Sequence, residues 1–87
     1  MTPFLDNDEG YFDWLKAHPE GFVANSYRKP TATYLFLHRA TCLHIQRWPS
    51  RRSTLDYQKV CAASEQALQN WAATVGGALT RCRTCQP

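Results

Sequence analysis

Thr33-Tyr34-Leu35-Phe36-Leu37-His38-Arg39-Ala40-Thr41-Cys42 is the stretch from which the rest of this chain is best read. Its first seven residues are aromatic and aliphatic on both alternating faces, which predicts the central strand of a sheet, buried on two sides. The end of that strand delivers His38, and Cys42 follows four positions later. A His-x3-Cys pair is half of a tetrahedral metal site, and the tail Arg81-Cys82-Arg83-Thr84-Cys85-Gln86-Pro87 supplies a matching Cys-x2-Cys half. The gap between the halves is longer than in a compact zinc-finger signature, so the match is one of ligand type and local spacing. It predicts zinc held by His38, Cys42, Cys82 and Cys85. Cys61 is a rival fourth ligand and His44 a weaker one; packing of the thiols as small core hydrophobes is the alternative to any metal.

Upstream of that strand, Phe22-Val23-Ala24-Asn25-Ser26-Tyr27 reads as a short strand, joined to it by a basic turn, Arg28-Lys29-Pro30-Thr31-Ala32. On the other side Leu55-Asp56-Tyr57-Gln58-Lys59-Val60-Cys61 alternates, predicting a third strand with Leu55, Tyr57, Lys59 and Cys61 on one face. Helices bracket the three. Asn7 or Asp8 caps a first helix over residues 8 to 17, its apolar face built from Tyr11, Phe12, Trp14 and Leu15 and its end set by His18-Pro19-Glu20-Gly21. Ser64 caps a second, in which Leu68, Trp71, Ala72 and Val75 form one stripe and Gly76-Gly77 forms the stop. The expected fold is α+β: a small three-stranded antiparallel sheet flanked by two helices, in the order α-β-β-β-α, with a C-terminal zinc knuckle beside the end of the second strand.

At 87 residues the chain is one domain. A chain of this size buries only roughly 60 to 65% of its unfolded surface, so a metal staple is physically useful. The first residues are acidic, with no basic segment followed by an apolar run, and no stretch approaches the length of a membrane span. Those features predict a cytoplasmic chain, where thiols stay reduced and metal binding is favoured over disulfides.

The net charge is +3, unevenly placed. Residues 1 to 20 carry five acids against Lys16, while the remainder carries nine bases against Asp56 and Glu65. Arg28, Lys29, Arg47, Arg51, Arg52, Lys59, Arg81 and Arg83 are candidate phosphate contacts, and Trp48, in a polar loop over residues 46 to 54, is a candidate to stack on a base. These features predict a non-enzymatic, nucleic-acid-associated module. A protein-interaction module using the acidic aromatic first helix is the competing expectation. No Ser/His/Asp set, paired inward carboxylates or glycine-rich phosphate loop is visible in the sequence.

The order of features from Tyr34 onward resembles the metal-binding domain of the Ada DNA-repair methyltransferases and the related zinc modules appended to some bacterial nucleases. The residues that carry the likeness are Tyr34, His38-x3-Cys42, Ser64-Glu65-Gln66-Ala67, Gly76-Gly77 and Cys82-x2-Cys85-Gln86-Pro87, about half of the chain. The stretch between Cys42 and Ser64 is longer and more basic than in those modules, and the first third has no counterpart. The resemblance implies a zinc centre, DNA as partner and, as a minor possibility, a zinc thiolate that accepts a methyl group beside Arg39, Arg81 and Arg83.

Overall fold

The computed structural model describes residues 1–46 and 57–87, with the side chains of all of these except His44 and Gln46. Arg47, Trp48, Arg51, Arg52 and Leu55 lie outside the described residues. Five strands and three helices follow in the order β1 (Thr2–Phe4), α1 (Asp8–Ala17), β2 (Phe22–Tyr27), β3 (Leu35–Arg39), α2 (Leu43–Gln46), β4 (Tyr57–Ala62), α3 (Glu65–Val75) and β5 (Thr80–Arg81). The α+β class holds.

The sheet differs from the expected one in size and order. It is five-stranded and mixed, β1-β4-β2-β3-β5, with β5 running parallel to β3 and every other pair antiparallel. Both additions are edges of two or three residues, too short to show an alternation. β1 carries Pro3, which an edge strand tolerates because one of its sides needs no donors. The middle strand is β2 and not β3. The second apolar face of β3, which suggested burial on two sides, lines an open cleft described below.

Register divides the side chains between two layers. Ala24 faces Leu37 on one neighbour and Val60 on the other, and these pack with Ala62, Leu68, Ala72 and Leu79 beneath α3. Val23 faces His38 and Cys61, on the opposite side, where Phe4, Tyr11, Ile45, Cys42 and Cys82 close the core beneath α1. Tyr57, Lys59 and Cys61 share this second face, as the alternation of β4 predicts.

Local chemistry fixes the helix ends. The Asn7 side chain accepts a 3.0 Å bond from the backbone N–H of Gly10, and Asp8 and Glu9 lie in the positive first turn of α1. At the other end His18, preceding Pro19, donates its backbone N–H to the Trp14 carbonyl and stacks on the Trp14 ring at 4.4 Å. Ser64 Oγ accepts from the N–H of Ala67 at the start of α3. Gly76 ends that helix at φ 94°, a left-handed cap that glycine adopts without steric cost. The chain then reverses through Gly77 to lay β5 against β3.

Candidate metal centre

The three-residue spacing of the first half-site is read out by a tight turn. His38 is the penultimate residue of β3; after Arg39 the chain bends, with the Cys42 N–H donating to the Arg39 carbonyl at 3.0 Å, and Cys42 points back under the sheet just before α2. The second half-site arrives by strand pairing. Because β5 is parallel to β3, with Phe36 opposite Thr80 and Leu37 opposite Arg81, Cys82 emerges beside His38, its N–H bonded to the Leu37 carbonyl at 2.9 Å. A final turn, closed by the Gln86 N–H on the Cys82 carbonyl, brings Cys85 round to the same point.

The structure brings together the four residues expected from the spacing. One ligand atom from each of His38, Cys42, Cys82 and Cys85 lies within 4.8 Å of all the others. The Cys42 and Cys82 sulfurs are 3.9 Å apart and the cysteines are free, far from the roughly 2.05 Å of a disulfide. Four ligands on a tetrahedral ion at ordinary metal–sulfur distance have sulfurs about 3.8 Å apart, so this separation suits a shared ion. His38, Cys42 and Cys82 are buried and Cys85 is half-buried. Cys61 is fully buried on the same face but is outside the group, a packed thiol of the core beneath α1.

The electrostatics point the same way. Burial opposes ionisation of Cys82, yet backbone N–H groups of Cys85 and Thr84, with smaller help from side chains, outweigh it and hold that thiol below its ordinary value. The Cys85 thiol is pushed up to about 11, by burial first and by Cys42 and Cys82 in addition, against the opposing N–H of Arg39. Three thiolates this close repel one another, and a divalent cation at their centre removes that conflict. Arg39 braces the outer side of the group. Its backbone N–H donates to Cys85 Sγ at 3.2 Å, and its guanidinium donates to the carbonyls of Cys85 and Gln86 at 3.2 and 3.3 Å. Such outer contacts orient metal ligands. The residues therefore fit a metal ion.

Beside the centre, between β2, β3 and the tail, opens a cleft of about 520 Å³ lined by Asn25, Tyr34, Phe36, His38, Arg81 and Arg83 among others. Tyr34 and Phe36 meet edge to face at 5.0 Å, and Tyr34 also contacts Tyr27 and Tyr57, so the ring is held in a cluster. The lining residues include no carboxylate. Arg81 pairs with Glu65 at 2.7 Å, but its side chain remains 62% exposed, where such pairs contribute little.

The other basic residues expected at a nucleic-acid surface fare differently. Arg28 makes a two-pronged contact with Asp6, which holds that carboxyl below its usual range. Lys29 is exposed. Lys59 is a correction: it is 1% exposed, because its position on β4 faces the α1 side of the sheet, and its amine donates to Asn25 Oδ1 at 2.8 Å. Sequence reasoning missed Asn25 and the cleft altogether. The available signal was an amide and a lysine, each alternating with Val23 and Tyr27 or with Tyr57 and Cys61 on one face of its strand. Their pairing needs the register to be seen. No described helix is long and apolar enough to cross a membrane. A search of protein families, curated proteins and solved structures finds no match to this chain.

Proposed function

We propose that this protein is a small zinc-stabilised recognition module that binds single-stranded nucleic acid and carries out no reaction at its metal. Three cysteines and a histidine form a donor set that zinc takes readily, and four protein ligands leave no open position for water or substrate. The role of such a centre is to hold the tail, with β5, Arg81 and Arg83, against the sheet.

The observation that carries the nucleic-acid reading is the cleft that this anchoring creates. Aromatic walls from Tyr34 and Phe36 and two exposed arginines, with no carboxylate among the lining residues, combine a stacking surface with cations for the backbone. Its volume is enough for one unstacked base. The competing protein-docking reading is less well supported. Phe12, Trp14 and Leu15 of α1 pack against the core around Tyr11, which leaves less of that helix for a partner.

The test is binding of labelled single- and double-stranded DNA and RNA across a salt series. Single strands should bind and weaken steeply with salt, and an R81A/R83A variant should have a shallower salt slope, by about one for each phosphate that the arginines no longer neutralise. Binding that ignores salt, or equal binding by the double variant, would refute the reading.

A further inference from the structure

Lys59, Asn25 and Tyr34 form a chain of contacts whose direction is fixed by chemistry. An ammonium group only donates, so the Asn25 amide must turn its oxygen toward Lys59, at 2.8 Å, and its nitrogen the other way. That nitrogen lies 3.4 Å from the Tyr34 hydroxyl and donates to it. Tyr34 then accepts from Asn25, which leaves its own O–H proton for a group in the cleft. Asn25 Nδ2 keeps a second hydrogen. Asn25 and Tyr34 therefore present a pair of donors to the cleft, Arg81 and Arg83 at its exposed side are donors as well, and the other polar side chains of the lining are those of His38, Thr80 and Thr84.

The pair is held in that state. Lys59 is 1% and Asn25 6% exposed, so water does not compete for the amide orientation. Burial lowers the Lys59 amine to about 8, which leaves it largely protonated at neutral pH. Burial, with Tyr57 and Tyr27, raises Tyr34 and keeps its hydroxyl a donor, against the smaller opposing effect of Asn25. A buried cation at one end polarises the bonds that follow it and strengthens the donors at the other.

We propose that the cleft takes a guanine base through its O6 and N7 acceptors, presented to Asn25 Nδ2 and the Tyr34 hydroxyl. For the strand-borne base this rests on the nucleic-acid reading above, and the same chemistry is offered by a free guanine nucleotide. With the sugar and phosphate at Arg81 and Arg83, the base presents its major-groove edge to the donor pair. On guanine that edge carries two adjacent acceptors; on adenine and cytosine it carries an amino donor, and on thymine a single acceptor beside a methyl group. An amino group against a donor pair leaves buried hydrogens unmatched. The neighbouring Phe36 ring is half-buried and offers a stacking surface.

The experiment measures anisotropy of labelled thymine strands carrying one guanine, adenine, cytosine or 7-deazaguanine, and, separately, binding of free GMP and AMP, all with the full chain. The guanine strand should bind about tenfold more tightly than the adenine or cytosine strand, and 7-deazaguanine should lose most of that gain. Asn25→Asp keeps a partner for Lys59 but replaces the donor by an acceptor, and should remove the guanine preference; Tyr34→Phe should reduce it and serves as the second variant. Equal binding of the guanine and adenine strands, a preference for cytosine, or a guanine preference unchanged in N25D overturns the proposal. If no strand binds, the strand reading fails. In that case GMP binding over AMP, lost in N25D, supports the cleft assignment, and absence of that preference overturns it too.

Discussion

Replacing Cys82 with Ser tests the centre at the point where two kinds of anchoring meet, since this residue is a proposed ligand and directly follows β5, with its N–H bonded to β3. Apart from a metal, the described residues hold the tail through few contacts: Leu79 packs beneath α3 and its N–H donates to the Gln69 side chain, and the Cys82 N–H bonds the Leu37 carbonyl. β5 pairs only two residues with β3, Arg39 contributes three hydrogen bonds to Cys85 and Gln86, and Arg81 contributes one exposed ion pair. Such bonds are worth about 1 kcal/mol each and the exposed pair less. Structural zinc contributes roughly 10 kcal/mol or more, comparable with the whole stability of a small domain, about 5–15 kcal/mol. The serine hydroxyl is a much poorer zinc ligand than a thiolate. Even if only about 3 kcal/mol were lost, the melting temperature would fall by more than about 10 °C for a chain of this length. The assay is a thermal melt followed by circular dichroism, with and without a chelator, alongside zinc stoichiometry by native mass spectrometry under reducing conditions. C82S should lose the metal and unfold at or near room temperature, and chelator should bring the wild type down toward it. Cys61→Ser is the control: it should keep one zinc per chain and cost only about 1–3 kcal/mol, from a hydroxyl placed among apolar side chains. Coincident melts of C82S and wild type, with no effect of chelator, would refute the structural role of the centre.

The buried lysine makes a signed pH prediction. Its amine titrates at about 8 in the folded chain against 10.5 in the unfolded one, mainly because burial disfavours the charge. Between those values the unfolded chain binds more protons, so this group makes stability rise with pH, by up to roughly 3 kcal/mol. Chemical denaturation at a series of pH values should show the wild type gaining on Lys59→Met across pH 8 to 10.5, and parallel curves would show that the amine is not held as described. Gly76→Ala should cost about 1 kcal/mol from its positive φ alone, since an added Cβ there meets nothing within 4 Å. Gly77→Ala should also destabilise, for a different reason: its Cβ would lie 3.1 Å from Ala32 and Leu35 side-chain atoms, so a combined Ala32→Gly change should recover part of the loss in a melt.

The parts of the fold that were legible in the sequence are those specified by neighbours in the chain. α1 and α3 have side-chain caps three residues from the amide they satisfy and stops at Pro19 and Gly76, so local chemistry sets their ends. β2 and most of β3 and β4 were legible from composition and alternation. The four candidate ligands were legible because metal chelation demands short local spacings, x3 and x2, whatever the fold between the halves. β1 and β5 were not, since two or three residues carry no periodicity and their pairing is a property of the partner strand. The central position of β2 was hidden for a related reason: the apolar second face of β3 has the same composition whether it lies under a helix or lines a cleft.

The α+β class, the main helices and strands, and the identity of the His38, Cys42, Cys82 and Cys85 set thus follow from short-range chemistry, because each depends on side chains within a few residues of one another. Three-dimensional packing was needed to make the two halves meet, through the parallel pairing of β5 with β3, and to turn Lys59 inward onto Asn25 instead of outward to solvent. Those outcomes depend on register, and register couples residues tens of positions apart through backbone hydrogen bonds that are the same for every side chain.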